Sequence, residues 1–468
     1  MLDRVRPWLM HVPRPLVLAV RYAYSVIPLR YRMNRAYFEM SELLQASQWW
    51  EAAELQAYQN AELVALLRHA YENVPYYREL FDGLGLRPGD VHDAGALRRL
   101  PLLTKQEIKD RREDFLSRAH RRRDLELART SGTSGAPLHF WREGSRSAAI
   151  ERAFFERMWA WHGYHRGDRS IYITGAPRAG DRFQYEPTTR TLVLQNPVIT
   201  PAKVAEYMEV IRRFRPKAMR GYPTLMYAFA RLINRYGPEA DCPSLEVIFT
   251  NSEKLYGYQR EEIAAAFGCK VVDSYGHAER LALMQQCEAM QGYHVIQEYG
   301  LVEFVGRDGQ PVSEGEAEVV ATGFHTRAYP MIRYRTGDWV RLSAATGPCP
   351  CGRSYPRVDE IVGRTGDHIV APSGRLLSPT VLEFVMMRSP SCRDLQIVQT
   401  GRDTLEVLMV PDDGFAMEDV ERFVAFLHSL IGEPMTVRPV VVDGIERPPG
   451  AKHSLIRSSI AREHLAQM

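Results

Sequence analysis

The stretch from residue 170 to residue 276 limits the choice of fold more than any other part of the chain. Short β-rich runs, "SIYITGAP" (170–177), "LEVIFTNSE" (245–253) and "KVVDSYG" (270–276), alternate with longer segments of helical periodicity. Those segments are "PAKVAEYMEVIRRF" (201–214), "PTLMYAFARLINRY" (223–236) and "YGYQREEIAAAF" (256–267). Strands separated by helices predict an α/β body with covered sheets. A further run, "EAEVVATG" (316–323), reads as another strand of that body.

Both flanks have a different character. Residues 51–74 place Leu55, Leu63, Leu66, Leu67, Ala70 and Val74 at helical spacing, so the first hundred residues are expected to be mostly helical and to cap the body. Near 363–374, "GRTGDHIVAPSG" gathers glycine and proline positions that suit a linker. Beyond it, a helix in "SPTVLEFVMMR", strands in "LQIVQTG" and "TLEVLMVP", a helix in "EDVERFVAFLHSLIG" and a strand in "MTVRPVVVD" predict a small α+β domain. At 468 residues the chain exceeds the size served by one hydrophobic core. The expected organisation is a helical region over 1–100 packed on the main body, a core of the large domain over 101–365 and a C-terminal domain over 366–468.

Sixty Lys and Arg nearly balance 57 Asp and Glu, for a formal net charge of +3, so no overall charge draws the chain to nucleic acid. Basic residues gather in the first 35 positions and near 111–124, which reads as a solvated face or as steering toward an anionic substrate or membrane. The segment "PWLMHVPRPLVLAVRYAYSVIPLRYR" is apolar, but Arg14, Arg21 and interior prolines keep any uncharged run below the roughly 18 residues a membrane span requires. It reads as amphipathic, packed on the body or resting weakly on a membrane surface. Six cysteines in so long a chain fit a reducing, cytoplasmic setting.

Residues 128–141, "ARTSGTSGAPLHFW", concentrate Thr130, Ser131, Thr133 and Ser134 around Gly132 and Gly135. Glycine lets backbone amides converge on an anion, and hydroxyls add donors for phosphate oxygens. The same composition also suits an ordinary turn. It is not a Walker loop, which ends in Gly-Lys-Ser/Thr where this chain has Ala136-Pro137.

Four more stretches follow in order: "SYGHAE" (274–279), "YRTGD" (334–338), "GRTGD" (363–367) and "PPGAK" (448–452). Together with "TSGTSGAP" (130–137), the set resembles the adenylate-forming superfamily of acyl-CoA and aryl-CoA ligases. "ENVPYYREL" and "LPLLTKQEIK" ahead of the loop, and "CPCGRSYPRV" further on, resemble the phenylacetate-CoA ligase branch and, within it, CapK-like proteins associated with capsular polysaccharide. The resemblance covers about residues 50–460. It implies a large N-terminal adenylate-forming domain, a helical cap plus covered β-sheets, followed by a small mobile α+β C-terminal domain.

Carried over residue by residue, the resemblance implies that Thr130, Ser131, Gly132, Thr133, Ser134 and Gly135 wrap the β- and γ-phosphates of ATP. Tyr275, followed by Gly276, would stack on adenine, and Glu253 in "TNSEKL" would belong to the adenine wall. Glu279 would help hold Mg²⁺, a hard cation suited to oxygen ligands. Asp338, an ionised acceptor, would take both ribose hydroxyls, and Arg364 would reach the ribose or phosphates through its fork of donors. Asp367 would be the hinge between lobes. Lys452 carries the most weight: as a carboxylate attacks the α-phosphorus and pyrophosphate leaves, a mobile ammonium stabilises the concentrated charge. Tyr222 in "RGYPT" and His277 are candidate lining of an acid pocket. The chain departs from the family pattern where Leu138 and His139 stand in place of a lysine after the loop, where Ala278 precedes Glu279, and where the last Gly-Lys is stretched to Gly450-Ala451-Lys452.

Cys349 and Cys351 in "GPCPCGR", with Cys287 and His294 in "QCEAMQGYH", resemble a zinc-type set seen in parts of this branch. Four such ligands would make a structural rather than a catalytic site. A reduced cysteine pair in a turn and a satisfied histidine are the plainer alternative. The function implied is ATP-dependent activation of a carboxylic acid as its acyl-adenylate, with transfer to coenzyme A or, alternatively, to an amine in surface polysaccharide or natural-product synthesis. A non-catalytic nucleotide-binding scaffold is the rival of another class.

Overall fold

The computed structural model describes residues 14–130, 138–174, 183–195, 201–236, 242–306, 308–343, 347–363, 368–377, 392–411, 415–445, 456–458 and 460–461. Ser131, Gly132, Thr133, Ser134, Gly135, Arg364, Asp367 and Lys452 lie outside the described residues.

The N-terminal helices are α1 (Arg14–Val26), α2 (Arg35–Ser47), α3 (Ala52–Asn73) and α4 (Pro75–Gly83). Helix α3 opens on a side-chain cap, in which Glu54 accepts the Glu51 backbone N–H at 2.9 Å and satisfies a donor that the helix itself cannot. Its stripe of Leu55, Leu63, Leu66, Leu67 and Ala70 is fully buried, as the spacing predicts. Each such leucine contributes roughly 2 kcal/mol through burial. From Leu63 onward this stripe shares one core with residues beyond 280, including Val319, Ala321 and Tyr334, so the helical region is part of the main body's core rather than a layer laid over it. Helix α1 docks more lightly, through an Arg21–Glu186 ion pair of 2.7 Å and a Tyr22–Tyr185 ring contact of 5.9 Å, and leaves Leu16 and Val26 exposed. No helix among the described residues is long and apolar enough to cross a membrane.

A hairpin of β1 (Glu126–Arg129) and β2 (His139–Arg142) carries the glycine-rich segment as its connection and leads into α5 (Gly144–Ala160). The alternating stretch then builds the centre of a nine-stranded sheet. Its strands in chain order are β3 (Ser170–Thr174), β4 (Phe183–Glu186), β5 (Thr191–Gln195), β6 (Ala218–Gly221), β7 (Val247–Asn251), β8 (Lys270–Gly276), β9 (Leu283–Gln285), β10 (Tyr293–Val295) and β14 (Arg357–Val358). They lie in the order β14-β10-β9-β8-β7-β6-β3-β5-β4, parallel from β8 to β5 and antiparallel at both flanks. Helices α6 (Pro201–Phe214), α7 (Pro223–Tyr236) and α8 (Gly257–Phe267) cover one face through Met208, Phe229 and Ile263 against Ile171, Met219 and Ile248. On the opposite face Trp159 of α5 packs with Ala218, Val247 and Phe249. Covering both faces is what parallel strands require. A second, antiparallel sheet runs β11 (Gly300–Val305), β12 (Gly315–Gly323), β13 (Tyr334–Leu342), β15 (Glu360–Gly363).

Part of the segment read as a linker is strand. Ile369–Val370 (β16) and Leu376–Leu377 (β17) form a hairpin with Ile369 and Val370 buried, because its apolar residues find Tyr256 and the C-terminal core to pack against. The C-terminal strands β18 (Cys392–Gly401), β19 (Thr404–Pro411), β20 (Thr436–Val441) and β21 (Ile456–Ser458) lie in the order β20-β19-β18-β21, with α9 (Met417–Ile431) packed on them through Val420, Phe423 and Leu427. The strands and helix read from the sequence there are found. The helix expected in "SPTVLEFVMMR" falls outside the described residues.

Candidate active site

A bulge aims the first candidate group. In the β12–β13 ladder Val320 faces Arg335 and Glu318 faces Trp339, so Thr336, Gly337 and Asp338 stand opposite Val319 alone. Gly337 supplies the left-handed φ of 75° that this excursion needs. The Thr336 hydroxyl donates to the Val319 carbonyl at 2.8 Å and accepts the Asp338 N–H at 3.1 Å, fixing the turn. Asp338 is thereby presented to β8, where the Tyr275 hydroxyl donates to its Oδ2 at 2.9 Å.

Strand β13 also meets the segment that follows β8. Tyr334 donates to Glu279 Oε1 at 3.3 Å, tying "YRTGD" to "SYGHAE". His277 Nε2 faces the Ala282 N–H at 3.3 Å and therefore accepts, which leaves the ring proton on Nδ1 to donate to Glu279 Oε2 at 3.0 Å. His277, expected as pocket lining, is thus also an orienting partner of the carboxylate. Arg280 is held at a left-handed φ of 61°, its Nη1 donating to Ser147 Oγ at 2.6 Å, and Arg142 donates to the Ala278 carbonyl. A non-glycine residue in that region costs about 1–3 kcal/mol and persists only where neighbours enforce it. Tyr334, Arg280 and Arg142 escaped the sequence reading. The first two stood within or beside quoted motifs, and Arg142 ends β2 just after the glycine-rich segment.

Thr130 has a structural task. Its N–H donates to the Leu138 carbonyl and its Oγ1 accepts the Leu138 N–H, both at 2.9 Å, closing the stem on which the glycine-rich segment sits. Glu253 is buried two residues past β7, after Ser252 at a left-handed φ of 69°. Gly276 ends β8, and Tyr222, just after β6, packs against the cluster of α6 to α8. Beneath the site Asp273, which the sequence reading missed, accepts from Thr250 Oγ1 at 2.6 Å and from Tyr293 at 2.9 Å. Burial pushes its carboxyl up to about 6 despite those donors.

Cys287, His294, Cys349 and Cys351 come together from three segments, with their ligating atoms all within 4.8 Å of one another. Cys287 and Cys349 Sγ are 3.6 Å apart, and Cys351 Sγ lies 3.3 Å from His294 Nε2. His294 Nδ1 faces the Tyr355 carbonyl at 3.4 Å, which directs Nε2 toward the thiols. Burial pushes the His294 ring down to about 4, so it is neutral at pH 7, the form a metal takes. Soft donors of this number fit tetrahedral Zn²⁺ with no open position.

No family model matches the chain. It is 27% identical over 379 residues to the phenylacetate-coenzyme A ligase of Thermus thermophilus, covering 75% of this chain and 80% of that protein. The phenylacetate-coenzyme A ligase of Escherichia coli is also 27% identical, over 343 residues that cover 68% of this chain and 72% of the relative. The chain is similar to the phenylacetate-coenzyme A ligases. It is also 21% identical over 438 residues to Protein CapK of Staphylococcus aureus, covering 91% of this chain and 92% of that protein. Its fold is that of 2-hydroxyisobutyryl-CoA ligase, whose structure in complex with 2-HIB-AMP and CoA superimposes with a TM-score of 0.63 at 20% identity, over 90% of this chain and 94% of the other. The postadenylation structure of that ligase gives 0.58 at 19% identity, over the same shares.

Proposed function

We propose that the chain is an AMP-forming carboxylate ligase that activates a carboxylic acid with ATP and passes the acyl group to coenzyme A. The observation that carries this reading is the convergence of Tyr275 with Asp338 and of Tyr334 with Glu279, in a chain similar to phenylacetate-coenzyme A ligases. In the first step an oxygen of the acid attacks the α-phosphorus and the bond to the pyrophosphate bridge breaks. In the second the thiol attacks the acyl carbon and AMP leaves. Tyr275 stacks on adenine beside Glu253, Asp338 takes the ribose hydroxyls, Arg364 reaches the ribose or phosphates, the residues from Thr130 to Gly135 cradle them, and Lys452 meets the charge that builds at the α-phosphorus. The buried carboxylate of Glu279, oriented by His277 and Tyr334, offers the hard oxygen donor that Mg²⁺ favours; the ion would neutralise phosphate charge. Cys287, His294, Cys349 and Cys351 would hold a structural Zn²⁺. Residues 366–468 form the mobile lobe in this reading, turning about Asp367. Its setting is the cytoplasm, a reading supported by six cysteines of which none forms a disulfide. The exposed apolar side of α1 gives weak contact with a membrane surface.

The CapK likeness, extending over 91% of the chain, supports a second reading in which the adenylate is passed to an amine of a surface-polysaccharide precursor. One experiment separates the readings: the protein is incubated with ATP, magnesium and a panel of carboxylic acids, with CoA or amines as acceptor. Pyrophosphate is followed, and thioester is told from amide by mass. Lys452→Ala is expected to lower acid-dependent pyrophosphate release about a hundredfold. Release at background by both the wild type and the variant would leave a nucleotide-binding scaffold.

A further inference from the structure

Between α5 and the β5–β3–β6 part of the sheet lies a cavity of about 230 Å³, lined among others by Arg152, Phe155 and Trp159 of α5, Thr189 and Thr191 at the start of β5, and Arg220 of β6. One ion pair links it to the site described above. Glu151, also at the cavity, lies 3.5 Å from Arg280, the residue after Glu279. At roughly 30 Å³ for a water-sized group, there is room for a short chain or a single ring.

The charges around this cavity do not balance. Glu156 accepts from Tyr37 at 2.7 Å, from Arg166 at 2.7 Å and from Arg152 at 3.4 Å. Glu151 accepts from Tyr299 at 2.6 Å in addition to facing Arg280. Both carboxylates are therefore engaged, and among the described residues none pairs with Arg220. Its guanidinium carbon lies 4.7 Å from the Trp159 ring centroid and 5.6 Å from that of Tyr172, while its buried Nε has no hydrogen-bond acceptor. Burial lowers the affinity of this guanidinium for its proton, with Arg152 adding to the effect. Aromatic faces hold the plane of an arginine but do not use its edge donors, which match the fork of an oxyanion.

We propose that Arg220 receives an oxyanion carried by the acid itself, so that the substrate is an acid with a second anionic group, a carboxylate or a phosphate-like group, on a short or aromatic body. Naming the ligand as the activated acid rests on the adenylation reading; anion capture by Arg220 does not. The test is calorimetric titration of the full chain, without nucleotide, with phenylacetate, 1,4-phenylenediacetate and 4-(phosphonomethyl)phenylacetate. At least one dianion is expected to bind ten or more times as tightly as phenylacetate, and which of them gains tells carboxylate from phosphonate. Arg220→Met should erase that preference, and Arg220→Lys should restore part of it. No heat from any of the three, equal affinity for mono- and dianions in the wild type, or a preference that survives Arg220→Met would each overturn the proposal. The wild-type comparison decides even if a variant does not fold. Pyrophosphate release with the same compounds reports adenylation separately: a dianion preference without release keeps the anion site and removes the adenylation reading, whereas release without a preference does the reverse.

Discussion

Asp338 owes its direction to a three-residue excursion in one ladder, and its partner Tyr275 to the end of a neighbouring strand. Removing its charge while keeping its shape should raise the KM for ATP about tenfold or more in Asp338→Asn, with little change in melting temperature, because a hydrogen bond to a charged group is worth about 1.5–3 kcal/mol. Steady-state kinetics beside a melting curve checks both halves. Arg157 gives the opposite pattern. It lies 3.5 Å from Glu298, both side chains almost fully buried, and donates to Tyr355 at 2.6 Å. Arg157→Met strands a buried carboxylate and should cost about 3–5 kcal/mol in denaturant unfolding, much of it recovered by adding Glu298→Gln. The motifs that hold Asp338, Tyr275 and Glu279 could be picked out because each is short and local, and the structure brings them into contact. The Arg157–Glu298 pair could not be, since 141 positions separate partners that only the packed fold unites.

Among elements, those with room for a period were readable. Helix α9 and strands β7 and β8 fall within a few residues of the sequence reading, whereas β9, β10, β14, β16 and β17 are two or three residues long and carry no period. The hairpin β16–β17 shows what such shortness conceals. Its His368 is buried, meets the Tyr256 hydroxyl at 3.2 Å and is pushed down to about 4 by burial, as is His325. Between about pH 6.5 and pH 4 the unfolded chain binds protons at these rings that the folded chain does not, so stability falls as pH is lowered through that window, by about 3 kcal/mol for each ring. Asp273, raised to about 6, acts in the opposite sense: the folded state holds its proton between about pH 4 and 6, and stability falls there as pH rises. Two rings outweigh one carboxyl, so urea midpoints should drop from pH 7 to pH 4.5. His368→Gln should flatten that decline.

At the scale of the molecule, the helical first hundred residues were legible as helices but not as co-owners of the main core, because a leucine stripe declares that it will be buried without saying against what. The Cys–His cluster belongs to the same problem. Cys287 and Cys349 sit in one apolar cluster with Tyr37, Met40 and Leu44 of α2, so whatever holds the cysteines also holds the N-terminal helices. Metal analysis should find one zinc per chain, lost in Cys349→Ser, and chelation should lower the melting temperature by several degrees, since metal binding free energy is folding free energy.

The C-terminal sheet bears on the role proposed for Lys452. The chain leaves β20 on one edge and re-enters as β21 on the other, where Ile456 pairs with Ile397. Four positions separate Lys452 from Ile456, a leash of at most about 14 Å. That short tether bounds how far the backbone of Lys452 can lie from β21. Under the adenylation proposed above, presenting that ammonium to a phosphorus would be a displacement of the sheet to which it is leashed, and turnover would proceed no faster than that sheet moves.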